Sequence, residues 1–248
     1  MIFLPLYDDN PRTTVPVVTS ALIAACVVVF LWQQSLGPRG EAAADLAYGM
    51  VPAVLFGAAE LPRRLQHVPP VLTLVTSMFL HGGWLHLIGN MLYLWIFGKG
   101  VERALGGPRY LVFYLLCGVA AALTQGLTDP GAEVPMIGAS GAIAGTLGAY
   151  LVLYPRGNIV VFVWILIFVR LVAVPAVILL GLWFLGQVLS ALSTDASEPG
   201  VAFWAHVGGF IVGLLLVPVF RRHGVAMLQP RRSSAFATSS VRRRGPWG

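Results

Sequence analysis

Long apolar runs broken by short polar stretches set the frame of this chain. A helix needs about 20 mostly apolar residues to cross the hydrocarbon layer. Runs of that character recur at residues 15–32, 78–97, 110–125, 140–154, 171–192 and 202–220, which predicts six transmembrane helices. The apolar stretch from 158 to 192 is too long for one helix and contains Arg170 and Pro175. Residues 159–168 therefore read as an interfacial segment ahead of the fifth span. The connection 33–70 mixes charges of both signs, prolines and apolar patches such as Met50 to Phe56, the composition of a partly embedded interfacial segment.

The polar residues between the runs orient the bundle. Lys99, Arg103 and Arg109 follow the second run, Arg156 and Arg170 the fourth, and Arg221 and Arg222 the sixth. The positive-inside rule puts those loops and both termini in the cytoplasm. The opposite loops hold Asp129 and Glu133, or Asp195 and Glu198, with no basic residue. Residues 1–14 then form a cytoplasmic N-terminal segment, 15–222 a membrane domain, and 223–248 a basic, disordered cytoplasmic tail. Ile23-Ala24-Ala25-Cys26 has the look of a lipoprotein cleavage box. The apolar run continues past Cys26 through Trp32, so the segment is read as a retained helix.

Composition agrees with the pattern. Hydrophobic residues make up 57% of the 248 and charged residues only 10%, so a soluble globule is excluded and an all-α polytopic membrane protein is expected. The net charge of +6 lies in loops and tail, which fits membrane orientation and not nucleic acid. Cys26 and Cys117 both sit inside apolar runs, which offers neither a disulfide framework nor a metal cluster.

Polar groups inside spans are costly, so each is a candidate for function. The second run opens with His81 to Asn90, where His86 and Asn90 lie four apart on one helix face. The fourth opens at Gly138-Ala139-Ser140-Gly141, and the sixth carries His206 near its start. All three sets fall toward the outer end of their spans. His206, Gly209 and Gly213 share one helical face, as do Gly141, Gly145 and Gly148, so the two helices can approach until Ser140 meets His206. That is a nucleophile with its general base. The acidic residues fall in tails, loops or span edges, which leaves no buried carboxylate pair for aspartyl chemistry. No His-Glu-x-x-His helix is present to hold zinc, and no cofactor is implied. An oxyanion would meet the Ser140 N–H at the helix start, with His86 and Asn90 as further donors.

Taken singly, each residue has a plainer reading: Ser140 as packing, His206 as an interfacial histidine, Asn90 as a helix-to-helix bond. Trp84, Trp183 and Trp204 read first as interfacial anchors. Taken jointly, at one depth and on faces that can meet, Ser140, His206, His86 and Asn90 point to catalysis.

These residues resemble those of the rhomboid intramembrane serine proteases. The matching pieces are His86-x-x-x-Asn90, Gly138-Ala139-Ser140-Gly141 and Ala205-His206-x-x-Gly209, in that order along residues 15 to 220. The resemblance implies a six-helix bundle in which Ser140 is the nucleophile, His206 the base, and His86 and Asn90 oxyanion stabilisers. His81, Gly138, Gly141 and Gly209 support the site. It implies transmembrane protein substrates, cleaved near the outer face of a membrane, expected to be a bacterial plasma membrane. It also gives Glu102, in the loop Val101 to Gly106, a structural role, and places lateral substrate entry at the fifth span. The chain departs from the family at Ala144, where many members carry a tyrosine that packs on the catalytic histidine, and it lacks the frequent Trp-Arg pair of the first loop. The alternative is a catalytically inactive rhomboid-like protein that binds membrane clients; the intact Ser140 and His206 weigh against it. Substrate identity and oligomeric state stay open.

Overall fold

The computed structural model describes residues 2–10, 15–165, 167–194 and 200–230. The fold is mostly helical: α1 (Val17–Ser35), α2 (Gly37–Tyr48), α3 (Pro52–Leu55), α4 (Thr73–Thr76), α5 (Trp84–Tyr93), α6 (Lys99–Leu105), α7 (Gly107–Thr128), α8 (Ser140–Leu153), α9 (Ala176–Ser193) and α10 (Phe203–Phe220). Among the described residues, α1, α7, α9 and α10 are long and apolar enough to cross a membrane. A fifth crossing needs a bent pair, Arg63–Phe79 with Trp84–Leu105, which turns by 82°. At 14 residues, α8 is about 21 Å long, short of a full crossing by itself. The six expected spans thus appear as four long helices, one broken pair and one short buried helix.

The break in the second expected span has a local cause. Gly82-Gly83 follow Leu80 and His81, and Gly83 takes φ +149°, a conformation side chains disfavour. It stands directly before α5. The helix therefore starts at Trp84, with His86 in its first turn.

Three further expectations are corrected. The chain is not all-α: β1 (Ile2–Asp8), β2 (Asn158–Ile165) and β3 (Phe168–Pro175) form an antiparallel sheet in the order β1-β2-β3. Of residues 159–168, expected as an interfacial segment, 159–165 lie in β2 and Phe168 begins its hairpin partner β3. Val160, Val161, Val163 and Val169, with Ile159, Phe162 and Trp164, are β-branched and aromatic residues that favour pleated backbone. The fifth helix consequently begins at Ala176, after Pro175, and not at 171. Residues 2–8, within the expected N-terminal segment 1–14, pair with β2. The expected disordered tail lies outside the described residues from 231 onward.

The centre of the bundle is α8, whose residues from Gly141 to Tyr150 are all buried. Its neighbour α10 touches it backbone to backbone. A Cβ at Gly209 would fall on the Gly141 carbonyl, one at Gly213 on the Gly145 carbonyl, and one at Gly148 on the Phe210 carbonyl. Without side chains at these positions the helices reach the separation that van der Waals packing in a membrane rewards. On its other side, Gly145 faces Cys117 and Gly141 faces Ala121 of α7.

Both ends of the described chain pack at the Leu153 end of α8. The Tyr150 hydroxyl donates to Asp8 Oδ2 (3.1 Å), while Leu228 and Gln229 N–H groups donate to the Val152 and Leu153 carbonyls. There too the buried Glu102 carboxylate accepts the Val18 and Thr19 N–H groups (2.9 and 2.8 Å) and the Thr19 hydroxyl (2.7 Å), closing the first turn of α1.

Candidate active site

The site lies at the opposite end of α8, where the chain enters that helix. The Gly138 N–H donates to the Ser77 carbonyl (2.8 Å), and Gly138 itself sits at φ +123°. A Cβ there would lie 2.8 Å from both Cε1 and Nε2 of His86, so glycine is required by backbone conformation and by the ring packed over it. Ser140 follows as the first helical residue, with backbone N–H groups that have no partner within the helix.

The close approach of α10 puts His206 against that serine. His206 Nε2 is 2.8 Å from Ser140 Oγ, and His206 Nδ1 is 2.6 Å from Gln187 Oε1 on α9. The ring is buried between aromatic groups: Trp183 lies 5.9 Å away centroid to centroid, and Phe203 meets it edge-on at 6.4 Å. Since Oε1 can only accept, Nδ1 donates to it, and Nε2 is left to accept the Ser140 hydroxyl proton.

His86 and Asn90 of α5 line the same cleft as the serine. The Gly82 N–H donates to His86 Nδ1 (3.4 Å), which in the neutral ring places the proton on Nε2, on the side of the ring that packs over Gly138. Asn90 is buried, and its Nδ2, 3.8 Å from where a Gly138 Cβ would stand, has no hydrogen-bond partner among the described residues. An unpaired buried amide is costly unless something arrives to use it. His81 stands behind: its backbone N–H donates to Gln33 Oε1 (3.0 Å), its Nδ1 lies 3.2 Å from the Phe79 carbonyl, and its ring meets His86 edge-on at 5.1 Å. A cleft of about 920 Å³ opens over these groups, lined by Ser140, His206, His86, Asn90, Trp183 and Phe203 among others.

The structure thus brings Ser140, His206, His86 and Asn90 to one cleft, with Gly138 beneath His86, His81 behind it, and Gly141 and Gly209 in the helix contact that sets the approach. Two neighbours of the histidine, Trp183 and Gln187, are not among the expected site residues. Trp183 was expected as an interfacial anchor and instead packs on His206. Gln187 was not singled out. A signal was available: Gln187 is a polar residue inside an apolar run, four residues after Trp183 and hence on the same helix face.

With this geometry in view, residues 69–223 match the Rhomboid domain family. RHOMBOID-like protein 5 of Arabidopsis thaliana is 33% identical over 156 residues, 63% of this chain and 46% of that protein. Rhomboid protease GluP of Bacillus subtilis is 33% identical over 136 residues, 55% of this chain and 24% of its own length. Rhomboid protein 1, mitochondrial, of Saccharomyces cerevisiae is 28% identical over 191 residues, 69% of this chain and 52% of that protein. The chain spans between about a quarter and about half the length of these relatives. The apolar helices make it an integral membrane protein. Mitochondrial and bacterial relatives together do not select the bacterial plasma membrane expected above.

Proposed function

The chain belongs to the rhomboid family, and on that footing we propose that it is a serine endopeptidase that cleaves transmembrane protein substrates near the outer membrane face. The observation that carries this reading is the 2.8 Å contact between Ser140 Oγ and His206 Nε2, in a cleft also lined by Asn90. As Ser140 Oγ attacks the scissile carbonyl carbon, its proton passes to His206 Nε2. The carbonyl electrons move onto oxygen, where the Ser140 N–H, His86 Nε2–H and Asn90 Nδ2–H donate. The imidazolium then protonates the leaving amine, the C–N bond breaks, and an ester to Ser140 remains. Water entering the cleft gives a proton to the same Nε2 as it attacks the ester; the C–Oγ bond then breaks, Nε2 returns that proton to Ser140 Oγ, and the new carboxyl terminus leaves.

Charge distribution supports the outward orientation. Arg103 and Arg222 meet at the Leu153 end of α8, where Arg222 donates to the Arg103 carbonyl, and Arg221 follows α10 there. The positive-inside rule assigns that end to the cytoplasm, and so turns the Ser140 end outward. Substrate enters beside α9, whose Trp183 and Ala191 line the cleft.

The test is cleavage of a reporter transmembrane substrate by purified protein, with covalent labelling by a fluorophosphonate in parallel. The parent cleaves and labels, and Ser140→Ala does neither. Cleavage by Ser140→Ala at the parental rate would overturn the mechanism, and a folded parent that neither cleaves nor labels would favour the inactive client-binding alternative.

A further inference from the structure

The base has a neighbour that the dyad chemistry above does not use. Gln187 lies on α9, and its Oε1 is 2.6 Å from His206 Nδ1, the ring nitrogen pointing away from Ser140. Neutral imidazole carries one proton, and the serine can be deprotonated only if that proton is on Nδ1. No carboxylate is bonded to His206 Nδ1 among the described residues. On α8 the residue four positions after Ser140 is Ala144, whose methyl group can neither hydrogen-bond nor stack on the ring.

Resting on the serine-protease reading, we propose that Gln187 is the positioning residue for His206: its amide oxygen holds the Nδ1–H tautomer and fixes the ring plane, with Trp183 packing the ring from the same helix face. Dyad and orienting group then form a Ser140–His206–Gln187 relay spread over three helices. Its third member stands on a thinly packed helix. Only Ala176, Leu180 and Ala191 of α9 are buried, and Cβ atoms at Gly181 and Gly186 would meet nothing within 4 Å. Correct seating of α9 is therefore a condition for a competent base. The role of Gln187 differs from that of a triad aspartate in one respect: the amide fixes tautomer and angle without adding a charge to stabilise the imidazolium.

The experiment compares Gln187→Met, which keeps length and volume but removes the acceptor, with Gln187→Glu, which keeps an acceptor oxygen. Against the reporter substrate, Gln187→Met lowers kcat about 10²-fold with KM little changed, less than the ~10⁴-fold loss on disturbing the tautomer in a charged triad. Gln187→Glu recovers most of that loss. In ¹⁵N-histidine-labelled protein, His206 shows protonated Nδ1 and bare Nε2 in the parent, and a tautomer mixture in Gln187→Met. A packing role predicts parental kcat for Gln187→Met, and that result overturns the proposal, as does an equal loss in both variants or an Nε2–H tautomer in the parent. The spectrum reads out Gln187 whether or not the chain cleaves anything. If Ser140→Ala matched the parent while the Nδ1–H tautomer depended on Gln187, the protease reading would fail and the positioning contact would stand.

Discussion

Gly138→Ala is the most informative small change in this protein, because one methyl group acts on two separate quantities. The backbone there has φ +123°, and holding a side-chain-bearing residue in such a region costs about 1–3 kcal/mol. The same methyl would stand 2.8 Å from Cε1 and Nε2 of His86. Ordinary carbon contacts begin near 3.5 Å, so the ring must retreat by roughly 0.7 Å. His86 is held from behind by the Gly82 N–H and the edge of His81, so it retreats by turning and takes its Nε2–H off the oxyanion position. A misplacement of about 1 Å in a catalytic group costs on the order of 10²-fold in rate, or about 2.7 kcal/mol at 1.36 per decade.

The two effects separate in a double-mutant cycle with His86→Ala. In the parental background, Gly138→Ala lowers both thermal stability and kcat on the reporter substrate. In the His86→Ala background no ring remains to displace, so the stability loss persists and the further loss in kcat shrinks to less than about threefold. Were Gly138→Ala to cost the same factor of kcat in both backgrounds, the methyl would be acting through the entry to α8 and not through His86. Parental kcat for the single variant would refute the steric reasoning altogether.

Asn90→Ala removes an Nδ2–H donor that has no partner in the resting site among the described residues, so kcat falls about 10²–10³-fold while thermal stability changes little; a large stability loss with unchanged kcat per folded molecule would make Asn90 a structural residue. Glu102→Ala strips three hydrogen bonds from the start of α1 and lowers stability by roughly 3 kcal/mol. Its activity per folded molecule, measured well below the transition, stays within about twofold because the carboxylate lies at the far end of the bundle from Ser140. Asp45, in the connection after α1, is pushed from its ordinary 3.8 up to about 6, first by burial and then by the Glu41 charge, with the Gln33 amide acting in the opposite sense. Its ionised form is thus disfavoured in the fold, and stability falls as pH rises through about 4 to 6. Asp45→Asn should raise the Tm above pH 7 by about 2–4 °C, a figure discounted for solvent exposure, and leave it unchanged below pH 4; a gain that is the same at both pH values would refute the assignment.

Features carried by side-chain type and spacing were legible in the chain before any coordinates. Gly141 and Gly145 meet Gly209 and Gly213, and Gly148 meets the Phe210 backbone, as their spacing requires, because in a helix a face is fixed by sequence separation alone. Ser140 and His206 then meet as a consequence of how near two bare helix faces come. Features set by backbone conformation were less legible. The 82° turn near Gly82-Gly83 is hidden inside a run that reads as one apolar span. The β2–β3 hairpin is hidden for a related reason: Ile159 to Phe168 is apolar throughout, and an apolar run by itself does not choose between strand and helix. The β-branched valines were the available arbiter.

The orientation of His206 was the least legible of all, and its cause lies in the fold. Ser140 and His206 sit on α8 and α10, which touch through paired glycines, so each helix leaves its pattern in the other. Trp183 and Gln187 come from α9, which meets α10 through aromatic contacts such as Phe184 stacked on Phe210 at 4.4 Å and shows few buried positions of its own. A helix that exposes most of its surface to the apolar surroundings carries little periodicity, and a polar residue on it has no patterned face to identify its partner. Ala144 marks what is missing on α8, and its sequence position does not say which helix makes up the loss. A site can therefore be largely readable in its reacting groups while the group that aims them is set only by where a loosely packed helix comes to rest. That is the physical reason for placing the discriminating substitution on Gln187: the residue ties the proton on His206 to the seating of α9.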